Sequence, residues 1–179
     1  MKKLVSTFLG LLVSVIVSFS SLQAFAHEKT FPTKQLAALT PEGVSVTFKE
    51  VPMRPDASKL SAFEKQHNIT FLKGELAGNL FIGSSTDKKA QIVAVFLDGK
   101  SERGDTEFGA AVNTKGRVAM VQVFSSSEPA ASKEFLATLV DKNADELREM
   151  MTQFEKEPSK QFLTKLTLKA VGRVSSSFK

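Results

Sequence analysis

Two stretches in the middle of the chain are apolar at both alternating positions. In "AQIVAVFLDG" (90–99) one set is Ile92, Ala94 and Phe96 and the other Val93, Val95 and Leu97. In "RVAMVQVF" (117–124), Val118, Met120 and Phe124 face one way and Ala119, Val121 and Val123 the other. Strands apolar on both faces belong inside a sheet covered on both sides. Between them "EFGAAVN" (107–113) pairs with the second stretch through Asn113-Thr114-Lys115-Gly116, where Gly116 supplies the positive φ of a short hairpin loop. Upstream, "GVSVTFKEV" (43–51) alternates as a strand, and "ITFLKG" and "NLFIGSS" read as two more.

Helical patterns flank this region. "FPTKQLAAL" (31–39) reads as a short helix or turn. Asp56 or Ser58 caps a helix running through His67, with Leu60 and Phe63 inward. After Glu128, "PAASKEFLATLV" begins with Pro129, tolerated in a first helical turn. "NADELREMMTQFEKE" and "SKQFLTKLTLKAVGRV" follow, the last with Leu163, Leu166, Ala170 and Val174 on one stripe. The expected architecture is α+β: a central, mostly antiparallel sheet with helices before and after it.

The N-terminus changes the picture of charge and compartment. Lys2 and Lys3 precede the uncharged apolar stretch "LVSTFLGLLVSVIVSF", and Ala24 and Ala26 supply the small residues of a cleavage site. The pattern predicts a signal peptide over residues 1–26 and a single exported domain over 27–179, in the periplasm or secreted. Its removal takes two lysines from the 24 Lys and Arg against 19 Asp and Glu, so a formal +5 falls to +3. There is no Trp or Tyr and no basic run interleaved with aromatic rings, so nucleic-acid binding has little support. No membrane span is expected in the mature chain.

Candidate chemistry is sparse. The absence of cysteine excludes thiol catalysis and thiolate metal sites. Only two histidines are present, and neither G-x-S-x-G nor H-E-x-x-H occurs. "DGKSERGDTE" (98–107) reads as a loop whose acids, Asp105 and Glu107 among them, are solvated and miss calcium-loop spacing. Its Arg103-Gly104-Asp105 is a turn-forming tripeptide. Cleavage after Ala26 would make His27 the first residue; its amine and imidazole, with His67, form a candidate copper site.

One order of elements carries a family likeness. Strand, "NTKGRV" turn, strand "VAMVQVF", "SSSEP" and a helix with "SKEFLATLVDKN" resembles the periplasmic FMN-binding domain of electron-transport accessory subunits, over roughly residues 70 to 174. Val121, Val123, Phe124 and Glu128 fit its strand pattern, Phe135 and Leu136 follow, and "FPTKQL" resembles the opening of some members. The family's S-G-A-T flavinylation motif is replaced by "FLTK" (162–165), with Lys165 at the threonine position. The Gly-rich segment after the family's Glu is also missing, so covalent attachment is not expected. The resemblance implies a noncovalent flavin electron carrier, or a relative without cofactor, working with a periplasmic or membrane redox partner. The contacts it implies are Ser126, Ser127 and Glu128 at the strand end and Thr164, Lys165 and Thr167 on the last helix.

Two structural readings compete with these. Ser125–Ser127 ahead of Pro129 are expected to cap the next helix rather than hold a phosphate. A non-catalytic binding or assembly module would instead use the helical half, with Met150, Met151 and Phe154 as partner surface, although methionines at helical spacing more often fill core. Whether the chain is an enzyme is left open at this point.

Overall fold

The computed structural model describes residues 32–85 and 91–178. The expected export segment, its cleavage point and His27 lie outside them. Five strands run in chain order as an antiparallel meander: β1 (Val46–Pro52), β2 (Asn79–Ser85), β3 (Gln91–Ser101), β4 (Gly104–Asn113) and β5 (Val118–Ser125). Helix α1 (Thr33–Ala38) precedes the sheet and α2 (Ala57–His67) is inserted between β1 and β2. Helices α3 (Lys133–Leu139), α4 (Ala144–Gln153) and α5 (Pro158–Ser177) follow it. This is the α+β arrangement expected from the alternation, a five-stranded antiparallel sheet with helices before and after. No helix among the described residues is long and apolar enough to cross a membrane.

The doubly apolar strands are explained by two cores of unequal size. On one face Val95, Leu97, Phe108, Ala110, Val112 and Val121 pack with Leu163, Leu166, Ala170 and Val171 of α5. Gly99 admits α5 closely: a Cβ there would lie 2.9 Å from Leu166 and from Phe162. On the other face, among the described residues, Phe81, Ile92, Ala94 and Ala111 pack under Leu36 and Leu39. Helix α5 is buried at nearly every position from Leu163 to Val174, because the sheet, α2 and α4 surround it. The expected single stripe was too narrow.

Local chemistry sets the boundaries. Asp56 caps α2 by accepting from the amides of Ser58 and Lys59, and the Ser58 hydroxyl, ahead of these amides, holds its carboxyl below the usual range. The β4–β5 loop forms as expected: Gly116 has φ +71, and the Asn113 side chain accepts from the amides of Lys115 and Arg117.

Three expectations fail locally. "ITFLKG" is not a strand, and a 3-10 turn occupies Lys73–Leu76. Glu64 accepts from the Phe71 amide and Glu75 from the Leu72 amide, both at 2.7 Å, so these backbone groups need no neighbouring strand. The 98–107 segment is the end of β3, a tight turn at Glu102-Arg103 and the start of β4, with Gly104 at φ +127. Finally, α3 starts at Lys133 and is capped by Ser132, which accepts from the Phe135 amide; Pro129 lies in the preceding turn.

Candidate functional site

The serine corner is a closed polar cluster. Ser126 Oγ accepts from the Glu128 amide at 3.0 Å and lies 2.7 Å from Thr106 Oγ1, tying the end of β5 to β4. Ser101, at the end of β3, donates to Glu128 Oε1. The other carboxylate oxygen is buried without a hydrogen bond, 3.9 Å from Arg103 Nε. Ser127 is exposed. The corner therefore holds strand ends together and, contrary to the expectation from the sequence, does not cap the next helix, whose cap is Ser132.

The turn that follows this corner meets the first turn of α5. The Ala130 amide donates to Ser159 Oγ at 3.0 Å, and a shallow cleft of about 320 Å³ lies among Arg103, Pro129, Ala130, Glu157, Pro158, Ser159 and Lys160. Thr164 and Thr167 sit deeper along α5, where their hydroxyls donate to the carbonyls of Lys160 and Leu163. Both are buried, whereas Lys165 between them is exposed. The expected phosphate contacts are thus split: Ser126 and Glu128 bond to each other and to Thr106 and Ser101, and the threonines are spent within the helix.

His67 closes the end of α2 against α4. It is 3% exposed, its ring packs on Phe63 at 4.3 Å, and Nδ1 lies 3.7 Å from Asp145 Oδ1 without a hydrogen bond. Burial pushes its pKa down, Asp145 opposes that and Arg148 reinforces it. Among the described residues no group of three potential metal ligands converges. Met150, Met151 and Phe154 are half-buried against the main core, with Phe154 edge-on to Phe135 at 5.6 Å, and so serve packing.

Sequence reasoning passed over two features. The first is a pair of cations inside α5. Lys169 and Arg173 are 6% and 5% exposed, and a buried charge requires compensation. Lys169 is held by Glu75 of the 3-10 turn, while Arg173 donates to the Phe96 carbonyl. The signal was present as a Lys and an Arg four residues apart inside "LTLKAVGRV".

The second feature is the lightly covered sheet face. Phe48, Phe81, Phe96 and Phe124 come from four different strands and cluster with Met120 around Leu36 and Leu39. Phe81 meets Phe96 at 5.5 Å, and Phe96 meets Phe124 at 5.9 Å. At one side of this cluster, between α1 and β1, is an open cleft of about 690 Å³. Leu36, Ala37, Val44, Val46 and Phe48 give it an apolar lining, joined by Thr33, Thr40, Thr47 and Glu42. Among these lining residues Glu42 alone is ionisable.

Comparison of the chain with protein-family models, with curated proteins and with solved structures yields no match.

Proposed function

We propose that this chain is a binding module whose ligand is an apolar molecule, neutral or cationic, seated between α1 and β1. The observation that carries this reading is the 690 Å³ cleft opening beside a phenylalanine-lined sheet face on which, among the described residues, one short helix lies. Its volume lies within the range of small-molecule sites, which combine mostly apolar walls with a few polar groups. Glu42 disfavours an anionic ligand, and the threonine hydroxyls suit a neutral polar end. The test is a fluorescence titration with the neutral probe N-phenyl-1-naphthylamine beside anionic anilinonaphthalene sulfonate. The neutral probe is expected to saturate and to bind the more tightly, and Ala37→Glu, at an exposed position on α1, is expected to abolish its binding. Equal binding of both probes, or no effect of Ala37→Glu, overturns the assignment.

The second reading is a noncovalent flavin with its phosphate at the serine corner. It is favoured by the contact between the turn after that corner and the first turn of α5, with Arg103 and Lys160 beside it. It ranks second because Glu128 and Glu157 pair with those same two cations. A visible spectrum and intact mass of protein purified from its native compartment test it. Yellow colour lost on denaturation supports the carrier, and colourless protein of bare mass removes it.

A further inference from the structure

The buried cations of α5 stand apart from both of these places. Helix α5 is the central element of the larger core, yet it carries Lys169 and Arg173 on adjacent turns, both enclosed. Lys169 Nζ lies 2.7 Å from each oxygen of Glu75 and 5.7 Å from the centre of the Phe71 ring. Arg173 is served less well. One terminal nitrogen donates to the Phe96 carbonyl at 2.8 Å, and Nε is buried with no hydrogen-bond partner. A guanidinium is shaped to hold a carboxylate through two parallel N–H bonds, and here the one bond described is to a backbone carbonyl. Burial pulls this group down to about 10, and Glu75 and then Asp98 are near enough to favour its charged form against that pull.

The group that neutralises Lys169 comes from a strap. Residues 72–78 cross from the end of the α2 region to β2, carrying Glu75 in the 3-10 turn Lys73–Leu76. Glu75 also accepts from the Leu72 amide, so the strap is folded around its own carboxylate. Gly74 and Gly78 flank that residue; Gly78 has φ +115, and neither has an atom within 4 Å of a built Cβ. Leu72, at the start of the strap, is 66% exposed. Behind the cations lie rings: a Cβ at Gly172 would be 2.6 Å from Phe63 and 2.9 Å from Phe71. Rings lie beside the cations, and the carboxylate bonded to Lys169 sits on a segment with glycines and open space at both ends.

We propose that Lys169 and Arg173 form a carboxylate-binding site which Glu75 occupies from within the chain. An incoming carboxylate carried on an apolar body displaces Glu75, pairs with Lys169 and supplies the bond that Arg173 Nε lacks, while the strap 72–78 swings outward. Because the internal carboxylate competes, the apparent affinity of the intact chain is reduced by the fraction of time that the strap is open. Removing Glu75 therefore exposes the full affinity of the site.

Octanoate is the probe, with octanol as the uncharged control of equal length, titrated calorimetrically into the full chain. Glu75→Ala is expected to bind octanoate saturably and at least tenfold more tightly than the unsubstituted chain, without a matching gain for octanol. The double variant Glu75→Ala/Lys169→Met is expected to lose that gain. In the unsubstituted chain, octanoate is expected to raise amide exchange across 72–78. Where circular dichroism shows that Glu75→Ala does not fold, Glu75→Gln replaces it, keeping the side-chain shape while removing the charge, with the same gain expected. Equal affinity of the unsubstituted and substituted chains, an equal gain for octanol, or retention of the gain in the Lys169→Met background overturns the proposal.

Discussion

Replacing Leu39 by alanine should release α1 rather than unfold the protein. Leu36 and Leu39 are the two α1-region residues in the smaller core, and both are fully enclosed. Leu39 sits over Gly109, where a built Cβ would lie 3.0 Å from its side chain. Burying two leucines stabilises by about 3–6 kcal/mol. Ordering an isolated two-turn helix consumes much of that, since so short a helix has little stability of its own. The net attachment is then a few kcal/mol, comparable with the about 2–5 kcal/mol that Leu→Ala costs at a fully buried site. If the full cost reached the whole domain, the melting midpoint would fall by about 4–20 °C, at about 2–4 °C per kcal/mol for a chain of this size. Because α1 can detach first, the loss is capped and the fall should stop at a few degrees. Hydrogen exchange resolved by residue provides the assay: protection should vanish across residues 33–40 and persist in β3, β4 and α5. A fall of more than 10 °C with residues 33–40 still protected would refute the reasoning and make α1 an integral part of the core.

Four further outcomes follow from particular contacts. Gly109→Ala places a Cβ 2.9 Å from Phe124, 3.0 Å from Leu39 and 3.2 Å from Phe96, so overpacking should cost about 1–3 kcal/mol in urea unfolding. Gly116→Ala meets no atom within 4 Å but keeps φ +71, so its cost should be the left-handed backbone alone, about 1–2 kcal/mol by the same assay. The native pKa of His67 lies below its ordinary value, so the unfolded chain takes up this proton first. Stability should therefore fall as pH drops below about 7, through the unfolded value near 6.5, and stop falling below the native pKa; His67→Gln should flatten that part of the difference in midpoint against pH. Asp56→Ala removes the acceptor for two α2 amides and should cost about 1 kcal/mol, read as a shift in thermal midpoint.

Much of the sheet was legible in the sequence because burial on two faces leaves two interleaved apolar sets, as in Ile92–Leu97, and because Asn113 and Gly116 specify their own loop. Where side chains replace sheet partners the pattern misled. Ile69 and Phe71 are buried like strand residues, yet Glu64 and Glu75 take the amide bonds a neighbouring strand would have taken. Pro129 looked like a first helical turn because proline is tolerated there, but Ser132 supplies the cap. Thr164 and Thr167 resembled ligand contacts by their place in a family pattern, whereas a threonine inside a helix can satisfy its hydroxyl on the carbonyl four residues back. The cation pair of α5 and its counter-ion could not be read together, because Glu75 lies 94 residues from Lys169. The phenylalanine face was hidden for a similar reason: four of the five strands contribute one Phe each, and only the meander order gathers them.

The most direct test of the cleft assignment is a map of where a neutral apolar ligand touches the chain. A uniformly 15N-labelled sample titrated with N-phenyl-1-naphthylamine should shift amides of α1, the 40–45 segment and β1, with Thr33, Ala37, Val44 and Phe48 moving most, and should leave the Arg103, Ala130 and Ser159 amides in place. Shifts confined to Arg103, Ala130 and Ser159, or spread evenly over the chain at saturating probe, would contradict a binding site between α1 and β1.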